Sequence, residues 1–358
     1  MDRAATRRNR RIVAIWLFTV AAMIMVMVVL GGATRLTGSG LSIMEWAPLM
    51  GALPPWSEAE WQRLFALYQQ IPQYDLVNDG FGLDGFKHIF WLEWTHRLWG
   101  RLIGVVFLVP LIWLGTTGRI ERRLLPLLAL LFVLGGLQGA VGWFMVASGF
   151  MPDSTAVSPY RLVIHLALAL TLYAAMIWSG LSLLRPVSRR MPVPLAPRIL
   201  AWVCLALVIL TIAAGGFVAG LHAGLTYNTF PLMDGQLVPP GYAALHPILR
   251  NLTENIPAVQ FNHRVLATLT LILVSVVAAL GPLAGLTKTL SAWLVAAVAG
   301  QYLLGVATLL WAVPVSLATL HQAGAVVLLT AVLIVLHRLV HGRLAGARAA
   351  AEAPRPPD

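Results

Sequence analysis

The sequence predicts an all-α polytopic membrane protein, with eight transmembrane helices arranged as two pseudo-twofold-related four-helix bundles. Three observations predict it. The 358 residues are 59% hydrophobic and only 11% charged, where soluble domains carry about 25% charged residues. Eight apolar runs reach the roughly 20 residues that a membrane span needs. The two halves of the chain also resemble each other, and each holds four of the runs.

In order, the expected spans cover roughly 12–31, 88–115, 124–147, 159–184, 198–220, 260–281, 289–311 and 315–338. The chain then divides into a cytoplasmic N-terminal tail (1–11), an N-terminal half (12–184), a cytoplasmic linker (185–197), a C-terminal half (198–341) and a disordered cytoplasmic tail (342–358). Charge orients the spans. The segments placed inside hold 17 of the 25 Lys and Arg against four acids, and the remainder holds eight basic residues against ten acidic. This is the positive-inside pattern. The net charge of +11 is therefore a topology signal, and no soluble face is left for a nucleic-acid patch.

The long outer loop, about 32–87, contains Ser57 and Glu60 spaced as a capping box. Trp61, Leu64, Phe65 and Tyr68 follow at helical spacing, so an amphipathic helix is expected there. It would lie on the outer membrane surface, lid a site, or simply pack within the loop. The other long outer loop, about 221–258, contains Pro239, Pro240 and Pro247.

The repeat is visible in detail. Gly31-Gly32 begins a stretch ending Pro48-Leu49-Met50-Gly51, and Gly215-Gly216 begins one ending Pro231-Leu232-Met233. Gln138 answers to Gln301. Each unit has an even number of spans, so both face the same way and the predicted axis lies along the membrane normal. Glu93-Trp94-Thr95-His96-Arg97 is echoed by Gln260-Phe261-Asn262-His263-Arg264, with an amide in place of the acid.

His96, His165, His263 and His321 fall in spans two, four, six and eight, all of which begin outside. Each lies within about two turns of the outer end, roughly 5–12 Å deep. Two imidazoles facing across a bundle suit the axial positions of a haem iron. A hydrogen-bonded core histidine is the plainer reading of any one of them, but four at equivalent positions favour ligands. Zinc wants three or four clustered ligands, and no acid or cysteine completes a set. Arg97 and Arg264 either pair with haem propionates or snorkel to headgroups. Trp94, Trp99 and Trp143 either pack on a macrocycle or belong to an aromatic belt. His337 and His341 are expected as interfacial anchors at the inner end, and His88, His222 and His246 receive no role. Glu93 shares a helix face with His96 and is either catalytic or an interfacial acid paired with Arg97 or Lys87.

Gly-Gly-Ala-Thr-Arg-Leu-Thr-Gly-Ser-Gly-Leu-Ser at 31–42, Glu93-Trp-Thr-His-Arg97, Asn262-His-Arg264 and His321-Gln322 together resemble the haem A synthase family, Cox15/CtaA. The resemblance covers all but the two tails. It implies an enzyme that oxidises the C8 methyl of haem O to the formyl group of haem A for terminal oxidases. Two hydroxylations would give a gem-diol that loses water. The resemblance places haem O at His96 and His165, with Arg97 nearby and Glu93 as the catalytic carboxylate. It places a permanent haem b between His263 and His321, beside Arg264. Haem O synthase, membrane lipid and an unidentified electron acceptor are the implied partners. A di-haem b-type electron carrier would use the same histidines without needing Glu93. A proton-relay transporter fits less well, because its titratable groups would spread across the membrane. Some bacterial members carry cysteine pairs in the outer loops. Here Cys204, within span five, is the only cysteine, so a thiol relay is not expected. No amphipathic presequence precedes span one, which favours a bacterial inner membrane with both termini cytoplasmic.

Overall fold

A computed structural model describes residues 3–48, 50–184 and 195–341. Its α-helices are α1 (Arg3–Leu36), α2 (Glu58–Tyr68), α3 (Pro72–Val77), α4 (Leu83–Thr116), α5 (Leu125–Val146), α6 (Pro159–Leu183), α7 (Leu195–Gly220), α8 (Ile256–Leu280), α9 (Lys288–Leu310) and α10 (Val315–His341). Eight of them, all but α2 and α3, are long and apolar enough to cross a membrane. The protein is a multi-pass membrane protein. In such a medium the backbone must satisfy its own hydrogen bonds, and helices do so within each segment.

The helices pack in the same order in both halves. In the first, α1 packs on α4, α4 on α5, α5 on α6, and α6 closes the ring on α1. In the second, α7, α8, α9 and α10 repeat that cycle. The halves meet where α1 packs on α10 and α7 on α6, with α6 crossing α10 between them. This exchange of partners is compatible with the predicted pseudo-twofold axis. Glycines set the two outer seams. A Cβ on Gly32 would overlap Gln322 Oε1, and one on Gly216 would lie 2.9 Å from Val163 Cγ2. Tyr173 bonds to Thr330 across the central seam at 2.6 Å.

Three local features differ from the sequence reading. The first eleven residues were expected as a tail, yet helix α1 already begins at Arg3, and Arg10 pairs with Glu121 of the α4–α5 connection. The linker 185–197 lies mostly outside the described residues, as does the tail 342–358. The capping box at α2 is half formed. Ser57 accepts the Glu60 amide at 3.2 Å, but the Glu60 carboxylate pairs with Arg63 instead of reaching back. His337 is not an interfacial anchor. It is 2% exposed, edge-on to Trp178 with ring centroids 4.8 Å apart, and Ser182 bonds its Nε2 at 3.0 Å.

Helix α4 also begins before its expected span, at Leu83. Its first turns carry Phe86, Ile89 and Phe90, and the aromatic face of α2 packs on them. Tyr68 and Phe86 are fully buried there. The apolar stripe of α2 is thus used up against α4 and Leu41 rather than on the membrane surface.

Candidate functional site

Each of the four histidines is seated on a glycine of the preceding span. A Cβ on Gly31 of α1 would lie 3.1 Å from His96 Nε2. Cβ atoms on Gly142, Gly215 and Gly305 would lie 2.8, 2.9 and 2.8 Å from Cε1 of His165, His263 and His321. A side chain at any of these positions would crowd the ring, and overpacking of this kind displaces side chains. Ring partners then set the orientation. Gln138 donates to the His165 carbonyl at 3.0 Å and lies 3.1 Å from its Nδ1. His263 Nδ1 lies 3.2 Å from the Thr211 carbonyl, so it carries the proton and leaves the Nε2 lone pair for a metal.

The histidines of each half come from helices on opposite corners of its ring. Helix α4 faces α6 across α1 and α5, and α8 faces α10 across α7 and α9. Among the described residues no three His, Cys, Asp or Glu side chains gather as a bare metal ion requires. Two imidazoles per half suit an iron that already holds four porphyrin nitrogens. The donor set, the glycine seats and the Nδ1 anchor at His263 all fit a haem.

The arginines next to the histidines act on the loops. Arg97 donates to the carbonyls of Ile43 at 2.7 Å and Glu45 at 2.8 Å. Arg264 donates to those of Tyr227 at 2.6 Å and Thr229 at 2.9 Å. Counting from Gly31-Gly32 and Gly215-Gly216, these are the same two loop positions in each half. Trp143 lies beneath the Arg97 guanidinium, 5.6 Å from ring centroid to Cζ, and stacks on Trp46. Trp99 reaches α1 instead, donating to the Met23 carbonyl at 2.9 Å. The Arg264 Nε and Trp94 Nε1 atoms are buried without a hydrogen-bond partner, and so remain available to a ligand.

The halves part company at Glu93 and Gln260, each 2% exposed. Glu93 Oε1 accepts from Arg97 Nε at 3.0 Å and from Arg97 Nη2. Its Oε2 accepts from the Ser42 hydroxyl at 2.7 Å and the Ile43 amide at 2.9 Å. Lys87 is not its partner; that ammonium lies 3.7 Å from Glu58. Gln260 keeps the arginine contact, accepting from Arg264 at 3.1 Å. Its amide nitrogen, however, donates to the carbonyls of Ala223, at 2.8 Å, and Thr226.

Sequence reasoning did not name Ser42, Ile43, Gly31, Gly142, Gly215 or Gly305 as contributors. The aligned Gly-Gly stretches of the repeat were the available signal for two of the glycines, since Gly31 and Gly215 are equivalent. Nothing in the residue pattern pointed from Ser42 to an acid 51 positions later.

Comparison with known proteins gives the family. Residues 14–333 match the COX15-CtaA family, described as cytochrome oxidase assembly proteins. A protein of Granulibacter bethesdensis named haem A synthase is 63% identical over 97% of this chain and 92% of its own length. Proteins of the same name from Parvibaculum lavamentivorans and Rhodospirillum centenum are 48% and 49% identical, over 93% and 91% of this chain and 96% and 88% of their own lengths. The chain belongs to the Cox15/CtaA family.

Proposed function

We propose that the protein is a haem A synthase of a bacterial inner membrane, with both termini cytoplasmic, that oxidises the C8 methyl group of haem O to a formyl group. The observation that carries this reading is the contrast between Glu93 and Gln260: one histidine pair has a buried, fully donated carboxylate beside it, and the other has an amide.

Haem O, the substrate, binds in the N-terminal half near His96 and His165. His263 and His321 would hold haem b in the C-terminal half, where it would supply reversible one-electron transfer. Glu93 accepts a proton released at the substrate methyl carbon, or stabilises positive charge developing there. Arg97 holds Glu93 and, through Ile43 and Glu45, pins the loop over it. Arg264 does the same for the second loop but serves no acid. An electron-transfer site needs no proton acceptor, which is consistent with Gln260. Delivery of haem O from haem O synthase within the membrane accords with this reading.

The test is haem extraction from cells that express the protein together with a source of haem O. Haem A should appear, and the purified protein should carry haem with a low-spin bis-imidazole spectrum. A haem-free protein, or haem O left unconverted, would overturn the proposal.

A further inference from the structure

Glu93 sits on a membrane-spanning helix, but two of its donors come from the loop between α1 and α4. Ser42 is 1% exposed, and its hydroxyl lies 2.7 Å from Oε2; the next residue adds its backbone N–H at 2.9 Å. Ser42 directly follows a short 3-10 turn, Ser39–Leu41, whose Leu41 is buried in the aromatic cluster beneath α2. The loop therefore presents the hydroxyl from a rigid position. Arg97 occupies Oε1 and the loop occupies Oε2, so each oxygen is tethered and the carboxylate plane cannot turn freely.

We infer that Ser42 is a positioning residue for the haem O reaction: its hydroxyl fixes the orientation of the Glu93 carboxylate that faces the substrate. This rests on the reading of Glu93 given above. Thr226 is the corresponding residue in the second half, and there it is the backbone carbonyl that Gln260 engages. The same loop position thus serves opposite polarities in the two halves. A hydroxyl is the chemical requirement at 42, and a threonine there keeps it.

The experiment compares Ser42→Ala, Ser42→Thr and Glu93→Gln in full-length protein carrying haem b. Hydrogen bonds to charged groups are strong enough that Ser42→Ala should lower kcat about tenfold or more. KM for haem O should change little, because the lost interaction concerns the reacting step. Ser42→Thr should restore most of the rate. Independently of turnover, the infrared carboxylate stretch of Glu93, assigned by its loss in Glu93→Gln, should shift in Ser42→Ala and return in Ser42→Thr. An unshifted band, or a wild-type rate in Ser42→Ala, overturns the inference. So does a Ser42→Ala protein that loses haem b along with activity, which would mark a purely structural role. If Glu93→Gln itself keeps full turnover, it is the underlying reading of Glu93 that fails.

Discussion

At Glu93 the loop between α1 and α4 turns two donors, the Ser42 hydroxyl and the Ile43 amide, towards a carboxylate. At Gln260 the corresponding loop turns two carbonyls, those of Ala223 and Thr226, towards an amide nitrogen. Around this difference nearly everything else is shared: the arginine that follows the histidine, the two loop carbonyls it holds, the glycine beneath each ring, and the order of helix packing. The comparison teaches that the acid is not an isolated substitution in a symmetric frame. The backbone of each loop is shaped to the residue it meets, so the residues at 93 and 260 are not interchangeable.

The largest way to break the comparison is to exchange them. In Gln260→Glu a carboxylate would face two carbonyl oxygens in a buried place, compensated only by Arg264. The cost is on the order of 3 kcal/mol. The expected outcome is a lower melting temperature and loss of haem b from the purified protein. Full haem b occupancy at unchanged stability would show that loop polarity does not matter.

The glycine seats sharpen the comparison next. Gly215→Ala and Gly305→Ala push a methyl to 2.9 and 2.8 Å from a ring carbon, an overpacking of about 1–3 kcal/mol. Both should lower haem b content as read by absorbance per protein. Gly142→Ala carries the same clash into the first half and should raise KM for haem O while leaving haem b in place. Gly31→Ala, with a 3.1 Å contact, should be the mildest of the four.

The smallest effect concerns the loop element that the second half lacks. Arg63 ties Glu60 of α2 to Glu45, the residue whose carbonyl Arg97 holds. Hydrogen bonds from Arg63 hold both carboxyls below their ordinary value of 4.5. This tether therefore stabilises the docked loop above that value and is lost as pH falls through the lowered ones. Both pairs are half-exposed, so the contribution is below about 1 kcal/mol. Arg63→Ala should speed proteolysis of the loop near neutral pH, and the difference should shrink as the pH falls through the lowered values and the carboxyls become protonated.

Much of this was legible in the residues. Apolar length located the eight helices, most of them to within a few positions, because a bilayer admits little else, although α1 begins nine residues before its expected span. The paired histidines and the Glu93–Gln260 contrast were visible because the repeat supplies its own internal comparison. The early start of α4 was hidden, since Phe86 and Phe90 look the same whether lipid or α2 covers them. His337 was misplaced because its neighbours, Arg338 and Arg343, look interfacial, whereas its burial comes from Trp178 on another helix. The partners of Arg97 and Arg264 were hidden for a simpler reason. Backbone carbonyls are the same in every residue, so a side chain that binds them leaves no trace at the other end. Ser42 lay beyond reach for a related reason: its contact depends on how a loop folds over a span.

The most direct test of the central claim, that one acid makes one of two similar sites reactive, is the haem composition of Glu93→Gln. The amide oxygen can still accept from Arg97 or from Ser42 and Ile43, though not from both sides at once, and the change lies outside the half that would hold haem b, whose occupancy reports folding. The account predicts a full complement of haem b with haem O conversion reduced by about a hundredfold or more. Haem A formed at the wild-type rate by that variant would contradict it.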